Sequence, residues 1–400
     1  MALYDLLSQV DADSYCILTS WCTIRRTLES FMGKGSWLPC KYYFYDGPRF
    51  TKPQAAKDNY RLSDKLSPGW LPRPLRPSRI PIVTAVISFL QISVVITRIV
   101  WTGLRVVRTE NVARILALSD WGPALLASYI ISLLTRKPYA VYLFDIYLGN
   151  RLAPAHKLLA LCFEPLLVRS ASVVIATNEE MEKLYRRRYG RTFKSAIIHN
   201  SIVSEPYIRK RTPYKPVPPY IITYTGLIYW AQERSLSNLI KAMNRLTDLP
   251  VRLDLYVPNA DEKLMRAVKR HKNVRLFAAD REKMPTVQCM ATVLFLPLSW
   301  KTGNPDLIMT SSPGKLTEYL ASGRPILVHA PPGTFVNNYA RGNNLALVVD
   351  QESPNLVANA VRKLISDVQF ARRLIGGAVK TFHRNHEALA NAKRLADTLS

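Results

Sequence analysis

Cysteine is scarce and unpatterned in this chain of 400 residues: Cys16, Cys22, Cys40, Cys162 and Cys289 are an odd, mostly well-separated set without Cys-x-x-Cys. That distribution excludes a disulfide framework and the usual zinc-module spacings, and it points to structural thiols in a reducing compartment. Acidic residues are also few, 29 Asp+Glu against 55 Lys+Arg, for a formal net charge of +26. There is no low-complexity basic tail and no aromatic RNA-binding strand, so nucleic acid is set aside as a partner. A surface this basic is left with an anionic membrane or a phosphate-bearing substrate. The N-terminus lacks the basic, apolar and small-residue succession of a secretory signal, so a cytoplasmic, peripheral location at the inner membrane face is expected.

What is present is a globular composition, 48% hydrophobic and 21% charged. The length implies two domains of roughly 150 to 200 residues. Leu3, Leu6, Leu7 and Val10 fall at helical spacing, so the chain opens in a helix, and Tyr15–Thr19 and Lys41–Tyr45 read as strands. Residues 68–81 carry five prolines with Arg73, Arg76 and Arg79, a pattern of extended basic loop. The stretch from Ile80 to Ile96 that follows contains no charge, and its continuation to Arg108 mixes Trp101 with arginines. It fits a buried packing helix, one lying in a membrane interface, or a short span.

From residue 114 short strands and helices alternate as far as Ser195–His199, and after a Pro-rich linker at 206–219 the alternation restarts at Tyr220–Thr225. This predicts an α/β chain of two Rossmann-like, doubly wound domains, 1–205 and 220–379, with a helix at 380–400 packing back on the first.

The most informative segment follows strand Thr292–Leu296. A polar loop ends at Ser311 and Ser312, either of which can cap a helix; Pro313 suits its first turn, and Gly323 closes it. A helix start at the carboxyl end of a parallel sheet binds anions through its unpaired N–H groups. Lys315 in the first turn opposes the helix dipole unless an anion arrives, and Glu318 lies one turn further on. On spacing alone the two are equally an ordinary i,i+3 surface pair.

The segment Pro313-Gly-Lys-Leu-Thr-Glu-Tyr-Leu-Ala-Ser-Gly-Arg-Pro-Ile-Leu327 resembles the donor-binding signature of the retaining family-4 (group 1) glycosyltransferases. Ala176-Thr-Asn-Glu-Glu180, Ile197-Ile-His-Asn200 and Tyr224-Thr-Gly226 are similar to further family segments, in family order. The resemblance implies a GT-B fold, two Rossmann-like domains facing across a cleft, and transfer from a nucleotide-diphosphate sugar to a lipid-linked or polysaccharide acceptor. It implies retention of configuration without metal or other cofactor. Lys315 would contact the diphosphate and Glu318 the ribose, with Ser312, Gly314 and Leu316 in the same donor-binding turn. Gly226 would allow close approach of its loop, and Asp145 would be the catalytic acid group on the acceptor side.

The chain departs from that pattern in three places. Thr310 stands where the first glutamate of a family pair would be, and Leu227-Ile-Tyr-Trp lacks the Arg and Lys that many relatives carry. The first, central strand of the N-terminal sheet is also missing, which suggests roughly 20 further residues upstream of Met1. Two alternatives follow: a nucleotide-sugar epimerase of the same fold, with His199 and His329 as its nearest titratable candidates, or a catalytically silent membrane-associated partner subunit.

Overall fold

The computed structural model describes residues 2–20, 37–46, 81–119, 122–190, 192–258, 262–300 and 302–400. The basic loop with Arg73, Arg76 and Arg79 lies outside them. The chain divides into two compact units, one of Leu7–Ile198 with Ala392–Ser400, the other of Met1–Leu6 with His199–Asn391. The division thus falls at His199. The segment 206–219 belongs wholly to the second unit: Tyr207 and Tyr214 are buried, and Arg324 Nη1 donates to the Thr212 carbonyl at 2.8 Å.

In the first unit, β1 (Cys16–Thr19) pairs in parallel with β2 (Lys41–Phe44), and a separate parallel sheet runs β3 (Ile115–Leu118), β4 (Tyr139–Leu143), β5 (Val173–Ala176), β6 (Ser195–Ile197). Among the described residues β1 and β3 share no ladder, so the strands form a pair and a quartet instead of one sheet. Strands β4 and β5 read Tyr-Ala-Val-Tyr-Leu and Val-Val-Ile-Ala and are buried throughout, as a sheet covered on both faces requires. Because β3 to β6 follow one another in order, right-handed crossovers put the helices Pro123–Thr135, Pro154–Ser170 and Glu179–Tyr189 on one face.

The apolar run becomes a helix of 29 residues, Pro81–Thr109. Ile92, Ile99 and Val106, spaced by seven, are its buried line. At Gly103 a Cβ would lie 2.4 Å from Ile131 Cδ1, so glycine is what lets this helix seat against Pro123–Thr135. Its opposite face is exposed, and only 11% of its most apolar window is buried.

The second unit holds six parallel strands in the order β12-β11-β10-β7-β8-β9, where β7 is Tyr220–Thr225, β8 Val251–Val257, β9 Val274–Ala278, β10 Val293–Pro297, β11 Ile326–His329 and β12 Leu347–Val349. The winding starts at β7, proceeds outward to β9, then returns to β10 and proceeds the other way. Connections therefore diverge from between β7 and β10, and that switch point opens a crevice at the strands' carboxyl ends.

Candidate functional site

Three segments meet at the switch point: the turn after β7, the loop after β10, and the helix Gly314–Ala321 that this loop feeds. Gly226 ends β7 at φ +113°, a conformation open to glycine, and a Cβ there would lie 3.3 Å from Lys315 Nζ. Pro313 is the N-cap of the helix at φ −61°, ψ 130°, with no side-chain cap bond. Neither Ser311 nor Ser312 caps it, contrary to the sequence expectation. Ser312 instead uses its carbonyl, which accepts from Asn200 Nδ2 at 2.9 Å, while Thr317 Oγ1 donates to the Asn200 carbonyl at 3.2 Å. These two bonds fix the helix start to the segment that follows β6. A Cβ at Gly314 would meet no protein atom within 4 Å, so the first turn faces open space.

Lys315 and Glu318 do not pair with one another; they reach in different directions. Lys315 Nζ donates to the Tyr224 hydroxyl at 2.6 Å and lies 4.2 Å from the centroid of the same ring. The Tyr224 hydroxyl in turn donates to the Leu227 carbonyl, so one phenol holds both the lysine and the loop after Gly226. Both charged side chains retain some solvent exposure, yet protein atoms crowd them closely. Burial lowers Lys315 to about 7, and the Glu318 charge opposes that shift only in part.

Glu318 accepts from Gln288 Nε2 at 2.7 Å. Gln288 is fully buried, donates also to Thr225 Oγ1 at 3.0 Å, and accepts at Oε1 from the Tyr207 hydroxyl at 2.9 Å. Its amide orientation is therefore fixed, and with it the position of the Glu318 carboxylate. Burial raises the Glu318 pKa, against the Gln288 hydrogen bond and the nearby Lys315 and Arg281 charges. Asp5, 3.8 Å from Arg281, adds a further acidic group on this side. The site is thus a helix start offering free N–H groups and one lysine, with a fixed carboxylate one turn along. That arrangement suits a ligand with an anionic group joined to vicinal hydroxyls.

Leu316 does not share that role. Its side chain is 2% exposed in the core, and its N–H donates to the Pro313 carbonyl at 2.9 Å, so neither group is available to a ligand. Asp145 belongs to the first unit, just past β4, where Ser119 Oγ donates to its backbone carbonyl at 2.9 Å. Its carboxyl is open to solvent on one side and crowded by protein on the others, and that burial raises it to about 6. His329 is fully buried, its Nδ1 3.1 Å from the Val349 carbonyl and its Nε2 3.3 Å from Asn238 Nδ2, and burial lowers it to about 4. It is a neutral core histidine and lends the epimerase reading no support. Tyr224 lies in the Tyr-x-Gly segment, which by itself marks no role for it, and Gln288 and Arg281 carry no local mark at all: they matter because β7, β9 and β10 bring them to one place.

Residues 219–367 match the family model described as glycosyl transferases group 1. No curated protein sequence matches the chain. Among solved structures, HepE of Anabaena in complex with UDP and glucose is 15% identical with a TM-score of 0.66, over 100% of this chain and 94% of that one. A glycosyltransferase from Rickettsia africae is 12% identical with a TM-score of 0.64, over 96% and 98%. Sucrose-phosphate synthase from Thermosynechococcus elongatus is 16% identical with a TM-score of 0.59, over 76% and 77%. Residues 219–367 thus match the group 1 glycosyl transferase model, and the chain shares its fold with solved glycosyltransferase structures.

Proposed function

We propose that the chain transfers a sugar from a nucleotide-diphosphate sugar, with UDP as the nucleotide, to a lipid-linked or polysaccharide acceptor at the cytoplasmic face of a membrane, where it is held peripherally. The observation that carries the donor half is the open first turn of Gly314–Ala321 between Lys315 and Glu318. The diphosphate takes the free N–H groups of that turn and the Lys315 charge, and the Glu318 carboxylate accepts from the two ribose hydroxyls. HepE, of like fold, is known in complex with UDP-glucose, which supports UDP over other nucleotides.

Transfer proceeds with retention and without metal. Positive charge and helix-end amides stabilise the leaving diphosphate, and Asp145 acts on the acceptor side. Calorimetry of the full-length protein with UDP tests the donor site. Micromolar binding that weakens about tenfold or more in Lys315→Ala and in Glu318→Ala is expected. Equal affinity in all three proteins refutes the assignment.

A further inference from the structure

The buried side chain of Gln288 joins three elements of the second unit. It sits on helix Met284–Met290 and bonds Glu318 on helix Gly314–Ala321, Thr225 at the end of β7, and Tyr207 in the segment that follows β6. An ionised carboxylate only accepts, so the amide nitrogen has to face Glu318, and the Tyr207 hydroxyl then has to donate to Oε1. The circuit also closes. Thr225 N–H donates to the Tyr319 hydroxyl at 3.0 Å, and Thr225 Oγ1 lies 3.2 Å from the same atom. Tyr319 is the residue next to Glu318, so the ring of bonds returns to the helix from which it starts.

Tyr207 lies on a segment that is itself tied to that helix. Arg211, one turn further along the segment, donates from Nε and Nη2 to the Ala321 carbonyl at 3.1 and 2.6 Å. The arginine chain reaches it by crossing Gly323, where φ is +70° and a Cβ would lie 2.7 Å from Arg211 Cγ. At the other end of the helix, Asn200 Nδ2 donates to the Ser312 carbonyl at 2.9 Å. The segment 200–211 thus grips helix Gly314–Ala321 at both ends, with the buried Tyr207 between the two.

A glutamate ends in a torsion with a broad, two-fold profile, so its carboxylate turns easily unless something holds it. Receiving two ribose hydroxyls at once needs one particular rotation, and a carboxylate already held there spares the ligand the cost of ordering it. Gln288 supplies the hold, through its bond to Glu318 Oε2. Tyr207 decides between the two orientations of the Gln288 amide: turned over, Gln288 would present its carbonyl oxygen to the carboxylate and repel it.

We propose that Gln288 and Tyr207 are positioning residues for ribose: Tyr207, through Gln288, sets the rotation of the Glu318 carboxylate, and with it the preference of the site for a ribonucleoside over a 2′-deoxyribonucleoside diphosphate. This role rests on the donor reading above, in which Glu318 accepts from the ribose hydroxyls.

Calorimetry of the full-length protein with UDP and 2′-deoxy-UDP measures the preference, and circular dichroism establishes that each variant folds. Wild type should favour UDP about tenfold or more. Gln288→Met keeps the length of the side chain without its polar atoms. It should weaken UDP about tenfold and 2′-deoxy-UDP less than about threefold. Tyr207→Phe should narrow the preference about threefold, and it carries the test if Gln288→Met does not fold. In the Glu318→Gln background, Gln288→Met should weaken UDP by less than about twofold further, because the two residues act through one contact. A role in folding alone would weaken both nucleotides equally and add to the effect of Glu318→Gln. Additive losses, or a preference that Glu318→Gln abolishes but folded Gln288→Met and Tyr207→Phe leave intact, overturn the positioning role alone. Wild type that binds no UDP, or Glu318→Gln with the preference intact, brings down the donor reading and the positioning role with it.

Discussion

The Lys315 ammonium donates to the Tyr224 hydroxyl across 2.6 Å and lies 4.2 Å from the centre of the same ring. The residues are 91 positions apart, and the contact fixes where the cation in the first turn of helix Gly314–Ala321 sits.

With Lys315 lowered to about 7, raising the pH above neutrality empties its charge. A bound diphosphate favours the protonated form and raises that pKa, so binding takes up a proton. UDP affinity is therefore highest below pH 7 and falls by up to about tenfold per pH unit above it. Calorimetry between pH 6 and 9 measures this, and Lys315→Arg should flatten the dependence. A flat wild-type profile contradicts the assignment.

At Gly226, φ +113° strains any other residue, and an added methyl group would lie 3.3 Å from Lys315 Nζ, which must then give way by a few tenths of an ångström. Gly226→Ala should cost about 1–2 kcal/mol of backbone strain and displace the lysine. The melting temperature should fall by a few degrees and UDP binding should weaken. Retention of both would show that the loop relaxes freely.

Glu318 accepts from Gln288 at 2.7 Å, which fixes the position of its carboxylate. Glu318→Gln should weaken UDP about 10- to 100-fold. The change should be much smaller for 2′-deoxy-UDP, which lacks one of the hydroxyls. Equal losses for both nucleotides would mean that the carboxylate does not read the ribose.

Asp145 titrates near 6 because burial disfavours its charged form. If its carboxylate acts in transfer, the rate rises with pH through that value. Asp145→Asn should cut turnover about 100-fold or more while leaving UDP affinity within about twofold. A variant with normal turnover assigns Asp145 no part in the chemistry.

Local pattern made much of this chain legible. Helix Glu179–Tyr189 is bounded by residues whose types mark helix ends: Asn178 accepts from the Met181 N–H at its start, and Gly190 follows its end. The βα alternation was readable for a similar reason: strand and helix periods are written in windows of about ten residues. The prolines of 206–219 mark a linker, but they do not show that two of its tyrosines are buried or that Thr212 meets Arg324. Capping of helix Gly314–Ala321 also differs from its local pattern, since whether a serine turns to the helix or offers its carbonyl to Asn200 depends on a partner 112 residues away.

The sequence by itself determined a basic two-unit α/β chain with a glycine–lysine helix start and a glutamate one turn on. Backbone propensity and spacing suffice for those. Tertiary structure alone decided that Lys315 turns to Tyr224 and Glu318 to Gln288, that Leu316 is spent on the core, and that among the described residues β1 and β3 share no ladder. It also left one face of Pro81–Thr109 open. Each depends on which distant side chains a strand order brings within hydrogen-bonding or van der Waals reach, and such distances are set by packing rather than by position along the chain.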